Sequence, residues 1–421
     1  MKLLYDNPLP PGWNEKPLTQ AIQLRRGYTW TKENEIERPE NGAVPVIRIP
    51  NVQDRLDLTD LLYLRDVSPE ALEKAAVSKG WILFVGSNGS QDRIGDSVLL
   101  EKDQAMVFAS FLMGMTSKDH NELLPEFLAS WMRIHLVHEW FSKTSQQTTG
   151  LANYSWGAVK KLPLRFPSDI NEQRRIAATL KLADDAIAKA RAELEAAREL
   201  KRSLTSELLH PPKAEHWQQT TFASLVSEKI RNGYSPTCPQ DPTGAWVLSL
   251  DALNDDGFNP EGIKPAPIED EGLLPFRLIA DDILVSRSNT PELVGRSGRY
   301  AGRPDIAYYP DLMMRVRVDR ALISPAFAEM LLQSTNARRW LKSRASGTSG
   351  SMVKIKRRDI MSLPILLPLP DQQNEIVGAV AAAKEAVTAS EMRASALQQI
   401  KKSLLQNLLT GKIRLPPSPV S

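Results

Sequence analysis

The sequence predicts a mixed α/β fold: two globular domains joined by a long antiparallel two-helix coiled coil, built as a pseudo-two-fold internal repeat. Three observations predict it. Short motifs recur in the same order about 200 residues apart, and two long segments carry the apolar spacing of a coiled-coil seam. Between them, short β-rich runs alternate with turn clusters.

The repeat is read from the residues. Gly27-Tyr28 recurs as Gly233-Tyr234, and the run Ile82 to Asn88 recurs as Ile283 to Asn289. Ile94-Gly95 matches Val294-Gly295, Leu124-Pro125-Glu126-Phe127 matches Ser324-Pro325-Ala326-Phe327, and Leu162-Pro163 matches Leu363-Pro364. The best agreement sets Leu200-Lys201-Arg202-Ser203-Leu204 against Ile400-Lys401-Lys402-Ser403-Leu404. Offsets hold at 200 or 201 after a start at 206.

Each half ends in a long helix. From Asn171 to Leu209 there is neither Gly nor Pro, and Ala, Leu, Glu, Arg and Lys dominate. Apolar residues fall alternately four and three apart at Ile176, Leu180, Ala183, Ile187, Ala190, Leu194 and Ala197, then follow at Leu200, Leu204 and Leu208. The second half keeps the register with Ile376, Val380, Ala383, Val387, Ser390, Ala394, Leu397, Ile400, Leu404 and Leu408. Asp169 and Asp371 are the expected N-caps, and Pro211 and Gly411 the expected stops. Such helices extend roughly 57 Å at 1.5 Å per residue. The competing arrangement packs each helix on its own globular domain.

The globular parts supply expected strands at Val44–Ile49, Trp81–Val85, Ala245–Leu250, Asp282–Ser286 and Arg315–Val318, with helices near Pro125–Phe141 and Pro325–Leu341. The domain reading follows: 1–160 globular, 161–212 long helix, 213–362 globular, 363–412 long helix and 413–421 a disordered tail. Hydrophobic content of 42% and charge content of 24% suit a soluble chain, with no apolar run long enough for a membrane span and no signal peptide. The single Cys238 excludes an internal disulfide and a cysteine metal cluster, and a reducing cytoplasm is the expected location. Net charge is only +3, but Arg287 to Arg358 holds fifteen basic against five acidic residues. The first 160 residues hold seventeen basic and twenty acidic, so only the second half carries a basic surface.

Taken together, Leu162-Pro163-Leu164, Asn171-Glu172-Gln173-Arg174-Arg175-Ile176-Ala177, Glu199 to Leu204, and the ending Leu408-Leu409-Thr410-Gly411-Lys412 resemble the conserved regions of type I restriction–modification specificity subunits. Leu9-Pro10-Pro11-Gly12-Trp13 resembles the entry to a target-recognition domain, echoed by His216-Trp217. The run Gly347-Thr348-Ser349-Gly350-Ser351 is similar to family sequence too. Asp371-Gln372-Gln373-Asn374-Glu375 departs from the family's Glu-Gln-Arg/Lys, and His210-Pro211-Pro212 stands where the second copy has Thr410-Gly411-Lys412. The resemblance implies a non-catalytic, cytoplasmic DNA-reading subunit with two target-recognition domains, each reading one half of a split site. It implies that the helices act as a ruler and dock two methyltransferase subunits, which carry S-adenosylmethionine, and that restriction subunits join the complex. The chain itself is expected to bind no cofactor or metal. Rival readings are a coiled-coil scaffold that binds no DNA, and a specificity subunit of a type IIB-like system.

Reading DNA needs hydrogen-bonding side chains for base edges, and cations or backbone amides for phosphates. In the first domain the candidates are Arg25, Arg26, Tyr28 and Trp30, then Ser87, Asn88, Gln91 and Arg93, and Thr148, Thr149 and Tyr154. In the second they are Arg231, Tyr234, Arg287, Ser288, Asn289, Arg296 and Arg299, with Thr348, Ser349, Ser351, Lys354 and Lys356. Two decoys fall away. Phe84 to Gly89 has the wrong glycine spacing for a cofactor loop, and Gln91 to Leu100 reads as a strand rather than a following helix. His135, His138 and Glu139 suggest metal, but their repeat positions Thr335 and Arg338 do not ligate. No Asn-Pro-Pro-aromatic tetrapeptide of an adenine methyltransferase occurs.

Overall fold

The computed structural model describes residues 5–148, 150–209, 216–349 and 352–416. The chain divides into two compact units: Met1–Arg191 with Met392–Ser421, and Ala192–Glu391. Each unit therefore owns the first half of one long helix and the last half of the other. The long helices run Ile170–Leu209 and Pro370–Leu408.

The two units share the strand order of their four-stranded sheet, while a further sheet has five strands in the first unit and three in the second. In the first, a four-stranded antiparallel sheet runs Ile22–Arg26, Leu112–Ser117, Ile82–Val85, Ser97–Leu99. In the second, it runs Arg231–Asn232, Met313–Val316, Ile283–Ser286, Ser297–Arg299. A three-stranded sheet accompanies each. Strand Leu151–Asn153 lies between Gln146–Thr148 and Ser87–Asn88, and Met352–Lys354 lies between Ser346–Ser349 and Ser288–Asn289. A two-stranded ribbon, Trp13–Pro17 with Pro163–Pro167 or Gln218–Thr221 with Pro364–Leu367, leads into each long helix. The helix expected near Pro125–Phe141 is two, Pro125–Met132 and His135–Lys143, and its counterpart splits into Pro325–Gln333 and Thr335–Arg344. At the second break the Ser334 side chain accepts the Ala337 N–H at 3.2 Å and starts a new helix.

Within each unit the helix halves run antiparallel. In the first, Ile176 and Leu180 share the core with Leu404, Leu405, Leu408 and Leu409, alongside Phe84, Phe127 and Trp131. In the second, Leu208 and Leu209 share the core with Ile376, Val377 and Val380, alongside Phe222 and Phe327. Each fully buried Leu or Ile contributes about 2 kcal/mol. Ile187 and Val387 are also buried, while Ala183, Leu194, Leu204, Leu397 and Leu404 are half-buried. Leu200 and Ile400 were expected on the seam but are 64% and 53% exposed. The neighbouring lysines take that side: Lys201 pairs with Asp256 in the second unit and Lys401 with Asp184 in the first.

The helix starts differ from one another. Asp169 caps the first, its carboxylate accepting the Asn171 N–H at 2.9 Å. Asp371 was expected to cap the second, but that helix begins at Pro370, so Asp371 sits in its first turn and Gln372 reaches back to the Leu369 N–H at 3.2 Å. The tail expected to be disordered from 413 is docked at its start. Arg414 forks onto the buried Glu172 carboxylate at 2.9 and 2.5 Å and donates to the Pro11 carbonyl at 3.0 Å, while Leu415 packs on the first unit's core.

One buried side chain recurs at each helix start. The Gln173 amide donates to the Glu122 and Pro167 carbonyls at 2.7 and 2.8 Å and accepts the Leu124 N–H at 2.9 Å. Gln373 donates to the Leu322 and Pro368 carbonyls at 3.0 and 3.1 Å and accepts the Ser324 N–H at 3.0 Å. Removing such a group strands buried backbone partners, so Gln173→Leu should cost its unit about 3 kcal/mol. Hydrogen exchange should then rise across 163–180 and stay unchanged across 364–380; an equal rise in both would overturn the local account.

Candidate nucleic-acid interface

The recurring Gly-Tyr pair is set by close backbone approach rather than by a turn. A Cβ on Gly27 would lie 2.1 Å from the Ala109 carbonyl oxygen, and one on Gly233 2.1 Å from that of Tyr309. The tyrosine N–H then bonds the neighbouring strand, Tyr28 to the Phe108 carbonyl at 2.7 Å and Tyr234 to that of Tyr309 at 3.1 Å. Tyr28, packed at the edge of the core, stacks on Trp30, whose indole N–H bonds Glu35 at 2.9 Å, and exposed Tyr234 stacks on Phe276. A hydrogen bond to the Asp270 carboxylate raises the Tyr234 phenol.

The adjoining arginines part ways. Arg25 points inward, its guanidinium 3.7 Å from the centre of the Trp81 ring and bonded to the Ala76 carbonyl, and burial lowers its pKa to about 10. Gly114, paired with it across the sheet, leaves the room. In the second unit the strand pair is Arg231 and Arg315, and here Arg315 is buried, over Tyr309 and bonded to the Arg277 carbonyl at 3.4 Å. Arg25 also lies over Phe108, so repeat-equivalent rings (Phe108, Tyr309) and carbonyls (76, 277) hold a guanidinium reached from different strands. Arg231 is left exposed, as is Arg26.

Several other candidates find partners within the fold. Ser288 and Asn289 are buried, and Asn289 bonds the Thr290 N–H at 2.9 Å. Arg93 pairs with Asp96 at 2.9 Å and donates to the Val52 carbonyl at 3.0 Å. Arg296 forks onto Asp255 at 2.9 and 2.5 Å, and Arg299 bridges Asp281 and Glu329 at 2.6 and 3.3 Å. Gln91 ties to the Ser142 carbonyl at 2.8 Å.

Other candidates lie on or beside the small three-stranded sheets. Ser87 and Asn88 are half-buried beside the 146–153 hairpin, and the Tyr154 N–H bonds the Gly86 carbonyl at 2.8 Å. Burial raises the Tyr154 phenol, and its ring meets Phe84 edge-on. Thr148 lies in that hairpin's first strand, and Thr348 and Ser349 in the equivalent strand Ser346–Ser349. Thr149 and Ser351 lie outside the described residues. Lys354 and Lys356 are exposed, followed by exposed Arg357 and Arg358, while Arg287 is half-buried and reaches the Asp311 carbonyl at 3.4 Å. Phe111 and Trp156 are exposed beside the first unit's sheet and were not singled out from sequence. A hydrophobicity pattern assigns such residues to a core by default.

Among the described residues no cluster of three or more His, Cys, Asp or Glu is placed to hold a metal. His138 instead meets Asp96 at 3.0 Å. No described helix is long and apolar enough to cross a membrane.

The type I restriction modification DNA specificity domain family matches residues 10–196. The chain is 25% identical over 386 residues to the type I restriction enzyme StySPI specificity subunit of Salmonella potsdam, covering 88% of this chain and 81% of that protein. It is 26% identical over 387 residues to the EcoKI specificity subunit of Escherichia coli K12, with the same shares covered. Over most of its length the chain is similar to the specificity subunits of type I restriction–modification enzymes. The fold agrees: the type I restriction-modification system S subunit solved from M. genitalium superposes with a TM-score of 0.57 at 16% identity, covering 97% of this chain and 98% of that one. A chain from another solved type I R-M system reaches 0.61 at 15% identity, over 97% and 100%.

Arg25→Ala should lower thermal stability and leave the salt dependence of DNA binding unchanged. Arg231→Ala should do the reverse, flattening the slope of log K against log salt by about 0.9. Anisotropy titrations at several salt concentrations on the assembled complex check both.

Proposed function

We propose that this specificity subunit directs methylation to a bipartite, asymmetric duplex target, each unit reading one half through the surface around its three-stranded sheet. The observation that carries the reading is the duplication itself: two units sharing the strand order of their four-stranded sheet, each holding the start of one long helix and the end of the other. A split target read by two equivalent heads needs such a repeat. The helices set the spacing between half-sites and dock two methyltransferase subunits, which supply S-adenosylmethionine and perform the transfer; restriction subunits join that assembly. Exposed Leu182, Leu200, Met392 and Ile400 on the long helices give a partner apolar surface to cover.

A protein scaffold that binds no DNA is favoured only by the near-neutral first 160 residues. Binding through phosphates weakens steeply as salt rises, whereas apolar protein contact does not. The type IIB-like alternative differs in which subunits accompany this chain.

Methylation-sensitive sequencing of a host expressing the chain with its methyltransferase should reveal a bipartite adenine target. Removing one heptad from each long helix shortens the pair by about 10 Å, so the spacer between half-sites should contract by about three base pairs. An unchanged spacer with retained methylation would refute the ruler.

A further inference from the structure

The two units carry different chemistry at equivalent surface positions. In the first, Phe111, Leu151 and Trp156 are 49%, 37% and 40% exposed. All three border one small sheet. The Phe111 carbonyl accepts the N–H groups of Gly86 and Ser87 at 2.9 and 3.1 Å, Leu151 opens the strand that pairs with Ser87–Asn88, and Trp156 follows Tyr154, which is tied to Gly86. Three large apolar groups thus stand exposed around a polar strand, where the core does not require them.

At an offset of 201 the second unit has Leu312, Met352 and Arg357. Leu312 is half-buried and its carbonyl accepts the Arg287 and Ser288 N–H groups at 2.8 and 3.2 Å, so the backbone frame is the same. Met352 is exposed at the hairpin position of Leu151, but Arg357 replaces the indole, and exposed Lys354, Lys356 and Arg358 surround it.

We propose that the first unit holds its half-site by apolar contact with bases, through Phe111, Leu151 and Trp156, whereas the second holds its half-site mainly by charge on phosphates. This deepens the reading of the chain as a two-headed DNA reader and rests on it. Aromatic and aliphatic side chains meet thymine methyl groups and the faces of partly unstacked base steps, contacts that release no counterions. Cations on a hairpin release one counterion for each phosphate neutralised.

The test uses the complete complex with its methyltransferase subunits on a duplex carrying the mapped target, titrated by anisotropy from about 50 to about 200 mM salt. Phe111→Ala with Trp156→Ala should weaken binding about tenfold at an unchanged salt slope, and should relax discrimination only for base changes in the first unit's half-site. Trp156→Phe should retain most of the affinity, which separates contact from disturbance of the fold. Trp156→Arg, which copies the second unit, should steepen the slope by about 0.9. Lys354→Ala with Lys356→Ala should flatten it by about 1.8. Should the unaltered complex fail to prefer its mapped target over a scrambled duplex, the DNA-reading function falls and this division with it. If that preference stands but the Phe111/Trp156 double variant binds like the unaltered complex, or flattens the salt slope as the lysine variant does, the division alone is overturned.

Discussion

The constraint on which each unit depends is the buried glutamine at the start of its long helix. Both donors and the oxygen of Gln173 are spent on three separate backbone groups: the loop at Glu122, the residue before the 125–132 helix, and the end of the ribbon strand at Pro167. Gln373 does the same in its unit with the loop at Leu322, the residue before the 325–333 helix, and Pro368. A primary amide suits this position because it donates twice and accepts once without charge. Glutamate would lose the donors and bury a charge, and an apolar residue would leave buried carbonyls and an N–H unpaired, each costing about 1–3 kcal/mol. The apolar seam supplies more energy, but apolar contact is non-directional. The amide fixes where the helix leaves the globular part.

Around that fixed point the interior tolerates exchange. A guanidinium lies over an aromatic ring and bonds the same carbonyl position in both units, yet it comes from strand Ile22–Arg26 in one and from Met313–Val316 in the other. Arg25 needs glycine opposite it, and Arg315 leaves its partner Arg231 outside. What the fold requires is a planar cation with a stacking face and a donor at that place, whichever strand it comes from.

This explains why the architecture was readable from sequence and the surface much less so. Periodicity and the offset of 200 or 201 report what repeats, and the helices, strand order and glycine positions do repeat. A side chain's exposure depends on its cross-strand and tertiary neighbours. Ser288 and Asn289 look like Ser87 and Asn88 but are buried where the latter are half-exposed, and Arg296 and Arg299 look free until Asp255, Asp281 and Glu329 arrive from distant segments. Leu200 and Ile400 stand one residue off the four-three alternation, whose next position after Ala197 and Leu397 falls on Lys201 and Lys401, so they face outward while the lysines reach Asp256 and Asp184. The role of Gln173 was visible only as a letter inside a motif; its three partners are 6, 49 and 51 residues away.

The same separation of frame and surface lets two units of one fold carry different surface chemistry. The residues that repeat most faithfully (Gly27 and Gly233, Gln173 and Gln373, the Ile-Leu strands) are spent on backbone approach, anchoring and core, where change is costly. Around the small sheets, by contrast, Trp156 can become Arg357 without disturbing a buried group, since both are exposed on the same short helix after the hairpin. Such positions are free to differ in chemistry at little cost in stability. Duplication then does more than double a binding site: it gives two surfaces, each anchored by its own glutamine, that can diverge independently, one toward apolar groups and the other toward cations.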